Sequence, residues 1–275
     1  MTAATQQQKS DRFVQLHAGP GCFLIPNPWD TGSARVLETM GFQALATTSA
    51  GFAFSRGQPD MGITREEKML HLRELCAATS LPVSADLQNG FGDRPDDAAE
   101  TIRLAAQAGA VGGSIEDASS DGGEPIYDIG RAREKVQAAA EAAKSVGFKF
   151  LLTARAENHL YGRGDLADTI RRLQAYQEAG ADVLFAPGLR TADEIRSVLA
   201  AIDRPLNVIM SMAGVTLTHR QLEALGVRRI SVGGSLARAA YGALERAGRE
   251  MLEQGSFGYA AEAPSTKHYN ELFRS

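Results

Sequence analysis

Cysteine is scarce: two residues, Cys22 and Cys76, in 275. Two thiols in a chain of this length make no disulfide framework, and a reducing cytoplasm is the expected setting. Neither a C-x-x-C nor an H-x-H pair occurs, so no zinc site is expected. No apolar run reaches membrane-spanning length. The opening "MTAATQQQKSDRF" has no basic n-region and no apolar h-region, which argues against a signal peptide. Dense Lys/Arg clusters are missing and the net charge is -4, so neither nucleic acid nor a membrane surface is the expected partner. Lysine is sparse too, at positions 9, 68, 135, 144, 149 and 267. Lys149 opens a strand and the others fall on helices or tails, which disfavours a Schiff-base aldolase.

What is present is a rhythm. Hydrophobic residues make up 44% of the chain, enough for an ordinary globular core. Short apolar segments at 22–28, 44–49, 82–88, 112–118, 149–156, 182–188, 206–210 and 228–234 read as strands. Amphipathic stretches separate them. In "DDAAETIRLAAQAGA", Ala98, Ile102, Ala105 and Ala106 share one side. Gly41, Gly109, Gly147, Gly180 and Gly226 mark helix ends. The strands are apolar up to their last residues, as expected when both faces are buried. The pattern predicts an α/β chain folded as a (β/α)8 TIM-type barrel: one domain over 1–275, with an extension at 1–18, the barrel at 19–250 and a tail with helices at 251–275. An open doubly wound sheet is the alternative, but no G-x-G-x-x-G opens the first helix.

In such a barrel the chemistry sits at the C-terminal strand ends. Period-two alternation puts Asp86 and Gln88 on one face. Glu116, on the next strand, is expected at a matching height. Inward carboxylates need a partner or a metal, and hard oxygen ligands with room for water suit Mg2+ or Mn2+. Arg155, one strand on, offers a planar fork for a substrate carboxylate. Ser49, Ala50 and Gly51 form a turn whose N–H groups could face an oxyanion. Asn207 and Ser211 lie where a substrate's variable end would reach. Plainer readings exist for each: an Asx turn at Asp86, a structural ion pair between Glu116 and Arg155, a plain loop at 49–51. Thr64, with Glu67, forms a T-x-x-E capping box, which leaves Asp60 without a capping duty. His159 reads as a solvated loop histidine.

The segments "TTSAGFAFSRGQPDMGIT", "ADLQNGFG", "SIEDA" and "LLTARAENHL" together resemble the isocitrate lyase / phosphoenolpyruvate mutase superfamily, over about residues 20–245. The resemblance implies a Mg2+-dependent enzyme that acts on 2-oxo acids through an enolate, in a homotetramer that exchanges a C-terminal helix between barrels. By position it implies that Ser49, Ala50 and Gly51 hold the oxo-acid oxygens. It makes Asp60 a loop acid, Asp86 the principal metal carboxylate, Glu116 a water-mediated metal partner and Arg155 the substrate-carboxylate arginine. The departures are Gln88, where many members carry an acid, and the loop "SSDGGEPIYD" at 119–128, which has neither Lys nor Cys. Its Gly122-Gly123 pair suggests a loop able to close. Cleavage of isocitrate by the superfamily's cysteine mechanism is therefore not expected. The expectation is a carbon–carbon lyase of a 2-oxo or 2-hydroxy (di)carboxylic acid, by decarboxylation or retro-aldol cleavage. The alternatives are a phosphonopyruvate-type P–C bond enzyme and a non-catalytic 2-oxo acid binder.

Overall fold

A computed structural model describes residues 4–119 and 123–274. Eight parallel strands form one sheet: β1 (Phe23–Ile25), β2 (Leu45–Ala46), β3 (Val83–Asp86), β4 (Gly112–Glu116), β5 (Leu151–Arg155), β6 (Val183–Phe185), β7 (Leu206–Ile209) and β8 (Arg229–Ser231). The ladder runs β1-β8-β7-β6-β5-β4-β3-β2, and the Ala46 N–H donates to the Pro26 carbonyl at 3.0 Å across the remaining gap. This is the predicted (β/α)8 barrel.

Helix α1 (Gln6–Ala18) precedes β1, capped by Thr5 and Gln8 in a reciprocal box. Its Phe13 is fully buried beneath the barrel, where a side chain at Gly112 would collide with it: a Cβ built there lies 2.8 Å from the Phe13 ring. The outer ring is α2 (Thr31–Thr39), α3 (Ser49–Ser55), α4 (Arg65–Ala78), α5 (Pro95–Gln107), α6 (Ile129–Lys144), α7 (Leu166–Glu178), α8 (Ala192–Leu199), α9 (His219–Leu225) and α10 (Ser235–Gln254), with α11 (Thr266–Leu272) closing the tail. Ala98, Ile102, Ala105 and Ala106 of α5 are buried, as their spacing requires. Thr64 caps α4 with Glu67, so Asp60 is indeed not its cap. Gly226 ends α9 in the left-handed region at φ 97°.

Three expectations change. The strands are shorter than the apolar segments, because the paired ladder covers only part of each. Ser49, Ala50 and Gly51 do not form a free turn but the first turn of α3, with Thr48 as its cap. The barrel interior is also not uniformly apolar: Ser84, Thr153, Asn207, Arg229 and Ser231 are all buried. Of the 119–128 loop, 120–122 lie outside the described residues, Gly122 among them. The rest is tied at its base by Ser119 N–H to the Pro125 carbonyl and Tyr127 N–H to the Asp117 carbonyl.

Candidate active site

Asp86, Glu116 and Arg155 are the last residues of β3, β4 and β5. Their heights differ from the expectation. The ladder sets Asp86 level with Ser114, while Glu116 pairs with Arg155 two residues further on. Strand stagger is inherent to a closed barrel, and the long arginine side chain spans the offset. Arg155 Nη1 donates to Asp86 Oδ1 at 2.9 Å and to Glu116 Oε2 at 3.0 Å, while its Nε donates to Glu157 Oε1 at 2.9 Å. Its guanidinium lies 5.2 Å from the centre of the Phe185 ring. The Nη2 end takes no part in the three carboxylate contacts.

The carboxylates around this cation differ. Burial pulls Asp86 upward, but Arg155, Lys68 and the Ser49 N–H hold it below the usual range. Burial pushes Glu116 well above it, against Arg155 and with the help of Glu157 and Asp86. Burial raises Glu157 as well. One guanidinium cannot neutralise three buried acids, so this group retains a proton more readily than free carboxylates do. Asp60, on the loop after α3, is raised by burial and by Asp86; it accepts from Ser49 Oγ at 3.4 Å.

Asp60, Asp86 and Arg155 border a cavity of about 190 Å³ that enters the barrel from its C-terminal end. Ser49, Ala50, Asp60, Asp86, Arg155 and Asn207 line it; Glu116, Gly51, Gln88 and Ser211 do not. Glu116 stands behind Arg155. Gly51 is packed under Thr48, Trp29 and Ala237, with its N–H donating to Thr48 Oγ1 at 3.2 Å. The Ser49 N–H is taken by Asp86 Oδ2 at 2.9 Å. Of the three N–H groups at the start of α3, that of Ala50 has no acceptor among the described residues.

Gln88 corrects the alternation argument. The strand ends at Asp86, Gly90 N–H closes back on the Leu87 carbonyl, and Gln88 sits at φ 51°. Its side chain therefore leaves the Asp86 face and lines a neighbouring cavity with Asn89, Phe91 and Tyr161, where its buried Nε2 has no partner among the described residues. Ser211, at φ 86°, is exposed and donates to the Val232 carbonyl at 3.0 Å. His159 is half-buried under Gly188 rather than solvated, and it does not line the central cavity.

Two further residues belong to the site: Glu157, a polar residue at the end of the fifth apolar run to which the sequence assigns no role, and Lys68. Glu157 lies beyond the last residue of β5, so alternation does not place it, and the available signal is a second charge beside Arg155 at the end of an apolar run. Lys68 could not be found so directly. It sits inside α4, fully buried, and its Nζ donates to Thr47 Oγ1 at 2.9 Å, directly behind Asp86, whose N–H donates to the same oxygen at 2.9 Å. Burial lowers its pKa to about 8. Lys68 lies on a helix, as the sequence indicates, and from α4 it reaches the end of β3 from outside the barrel.

The donor set fits a divalent cation. Asp60, Asp86, Glu116 and Glu157 face Arg155 and Lys68, an excess of two negative charges when all are ionised. Among the described residues no three His, Cys, Asp or Glu side chains are grouped to hold a metal. Mg2+ is commonly bound through one or two carboxylates with retained waters, and Asp60 and Asp86 are two carboxylates lining the cavity.

Residues 13–252 match the sequence profile of the family described as phosphoenolpyruvate phosphomutase. The chain is similar to 2-methylisocitrate lyase of Bacillus subtilis (strain 168), 31% identical over 262 residues, covering 92% of this chain and 85% of that protein. Among solved structures it superposes on a Burkholderia cenocepacia J2315 chain whose lyase or mutase assignment is provisional, with TM-score 0.96, 54% identity and coverage of 98% and 97%. It also superposes on 2,3-dimethylmalate lyase, with TM-score 0.86, 26% identity and coverage of 96% and 94%.

Proposed function

The chain belongs to the phosphoenolpyruvate phosphomutase family, and from that premise we propose that it is a Mg2+-dependent lyase of a 2-oxo or 2-hydroxy (di)carboxylic acid. It is an enzyme of the carbon–carbon cleaving type, and the bond breaks with formation of an enolate. The observation that carries this reading is the Asp86–Arg155 pair lining the cavity at the C-terminal end of the barrel.

Asp86 would hold Mg2+ or Mn2+, with Glu116 in support, and Gln88 falls outside the donor set. A divalent ion there would withdraw electron density from the substrate's 2-oxygen. Arg155 binds the substrate carboxylate, and the Ala50 N–H donates to the developing oxyanion. Asp60 is the candidate proton carrier: it lines the cavity, and its raised pKa keeps a proton available nearer neutrality. Asn207 meets the far end of the substrate. Decarboxylation of an oxaloacetate-type acid needs no further base, whereas retro-aldol cleavage of a substituted malate would use Asp60 on the hydroxyl proton.

Exposed Leu244, Leu252 and Phe257 on α10 and beyond support a homotetramer with exchanged C-terminal helices. Sedimentation that gives a monomer would remove that part.

The deciding experiment is a panel of 2-oxo acids, 2-hydroxy acids and phosphonopyruvate, followed for pyruvate and for phosphate with and without EDTA. Carbon–carbon cleavage lost in EDTA supports the reading. Phosphate release would move the enzyme to P–C chemistry, and ligand binding without product would make it a binder. Full activity of Asp86→Ala with Mg2+ present would remove the metal role.

A further inference from the structure

Arg229 is the first residue of β8, and its side chain turns into the barrel with 5% of its surface exposed. A guanidinium stays charged throughout the working pH range. Buried charges in proteins are paired, because low polarity penalises a lone ion heavily. Yet among the described residues no carboxylate forms an ion pair with Arg229. Its contacts are all neutral. Nε donates to Asn207 Oδ1 at 2.9 Å, Nη2 to Thr153 Oγ1 at 3.0 Å, and Nη1 lies 3.3 Å from His17 Nε2. His17 is no hidden anion. Its Nδ1 lies 2.8 Å from the Phe13 carbonyl, so it carries the ring proton and Nε2 presents a lone pair.

Those contacts use one N–H on each nitrogen. A guanidinium has five, so one N–H on Nη1 and one on Nη2 remain. The cavity that begins at Asp86 and Arg155 reaches Arg229, passing Ser84, Ser114, Asn207 and Ser231. Thr153, which fixes Nη2, precedes Arg155 by two residues on β5, a rise of about 6.6 Å. The cavity therefore has an arginine at each of two levels. All four acids of the site are gathered at the upper one.

We propose that the inner end of the barrel cavity, at Arg229, is an anion site for one small monovalent anion, either a carboxylate group or a halide-sized ion. Two sources share that chemistry. One is the second carboxylate of a dicarboxylate whose other end lies at Arg155, which rests on the function proposed above. The other is a free ion held beneath the substrate, which does not. Arg229 supplies the charge, Asn207 and Thr153 fix its plane, and the serine hydroxyls complete the shell.

The test is run on the whole protein in EDTA, so that it is independent of turnover. A native crystal soaked in sodium bromide is expected to show an anomalous peak within hydrogen-bonding distance of the Arg229 guanidinium. In solution at constant ionic strength, bromide is expected to raise the unfolding midpoint of the native protein and to leave that of Arg229→Met unmoved. No peak at Arg229, or an equal bromide response in both proteins, overturns the site. If Arg229→Met does not fold, the crystal result alone decides. Succinate then separates the sources: its displacement of the bromide assigns the site to a substrate carboxylate, and its binding alongside bromide assigns it to a free ion. Because no product is measured, an inactive protein would sink the lyase reading and leave this one standing.

Discussion

Arg155 Nη1 stands 2.9 Å from Asp86 Oδ1, so the group proposed to grip the substrate and the group proposed to hold the metal are already bonded to each other. Arg155 also holds Glu116 and Glu157. Its removal leaves three carboxylates without their cation. Arg155→Met is expected to lose roughly 3–5 kcal/mol of stability, measured by urea unfolding, and at least about 100-fold in kcat/KM. Arg155→Lys keeps the charge but cannot fork between the acids, so it should recover much of the stability and little of the activity. Equal recovery of both would argue that charge alone matters at this position.

Lys68 leads to a prediction whose sign is not obvious. Its ammonium lies behind Asp86, linked through the Thr47 hydroxyl, and so opposes any cation in front. Lys68→Met should bind Mg2+ more tightly, with the half-saturating concentration falling about threefold or more. Thr47 Oγ1 keeps the Asp86 N–H as a donor, so the strand end holds its place. A metal titration of activity reads the shift, and a rise in the Mg2+ requirement would reverse the role assigned to Lys68.

Phe13 tests the floor of the barrel independently of the chemistry. It is fully buried against Gly112 and packs edge-on to His17, with ring centroids 4.6 Å apart. Phe13→Ala should cost about 3–5 kcal/mol, while kcat/KM per folded molecule stays near the native value. A selective loss of activity would mean that α1 reaches the site through His17 and Arg229.

The barrel could be read from the sequence because strands buried on both faces and amphipathic helices leave different periods. Asp86, Glu116 and Arg155 stood out because each is a charge ending an apolar run. Gln88 was misplaced because alternation holds only while the strand continues, and this one stops at Asp86. Lys68 stayed hidden for a different reason: a lysine on a helix reads as solvated until the rotation of α4 toward the sheet is known. Arg229 looked like the edge of a strand, since nothing local says that its side chain enters the barrel rather than solvent.

The two buried histidines contribute to the acid limb of stability, beside carboxylates such as Asp86 that the fold holds low. Burial, with Arg229 beside His17 and Lys68 beside His71, lowers each pKa to about 3 from the ordinary 6.5. His71 Nε2 lies 2.9 Å from the Trp29 carbonyl and its ring stacks on Phe52 with centroids 3.9 Å apart, an arrangement that suits the neutral form. The unfolded chain takes up these protons below pH 6.5 and the folded chain does not. Their contribution is therefore complete above pH 6.5 and is lost as the pH falls toward 3. Each histidine adds a slope of up to about 1.4 kcal/mol per pH unit in that window. Glu116 and Glu157 act in the opposite sense, because their raised pKa values make the folded chain bind protons earlier. Only a difference between two proteins isolates the histidine. His71→Gln keeps a donor for the Trp29 carbonyl and cannot titrate. Urea unfolding from pH 7 to 4.5 should show the variant less stable at neutrality but with a shallower decline, so that the two curves converge. Parallel curves would mean that His71 is protonated in the folded protein, against the stack and the burial that define its place.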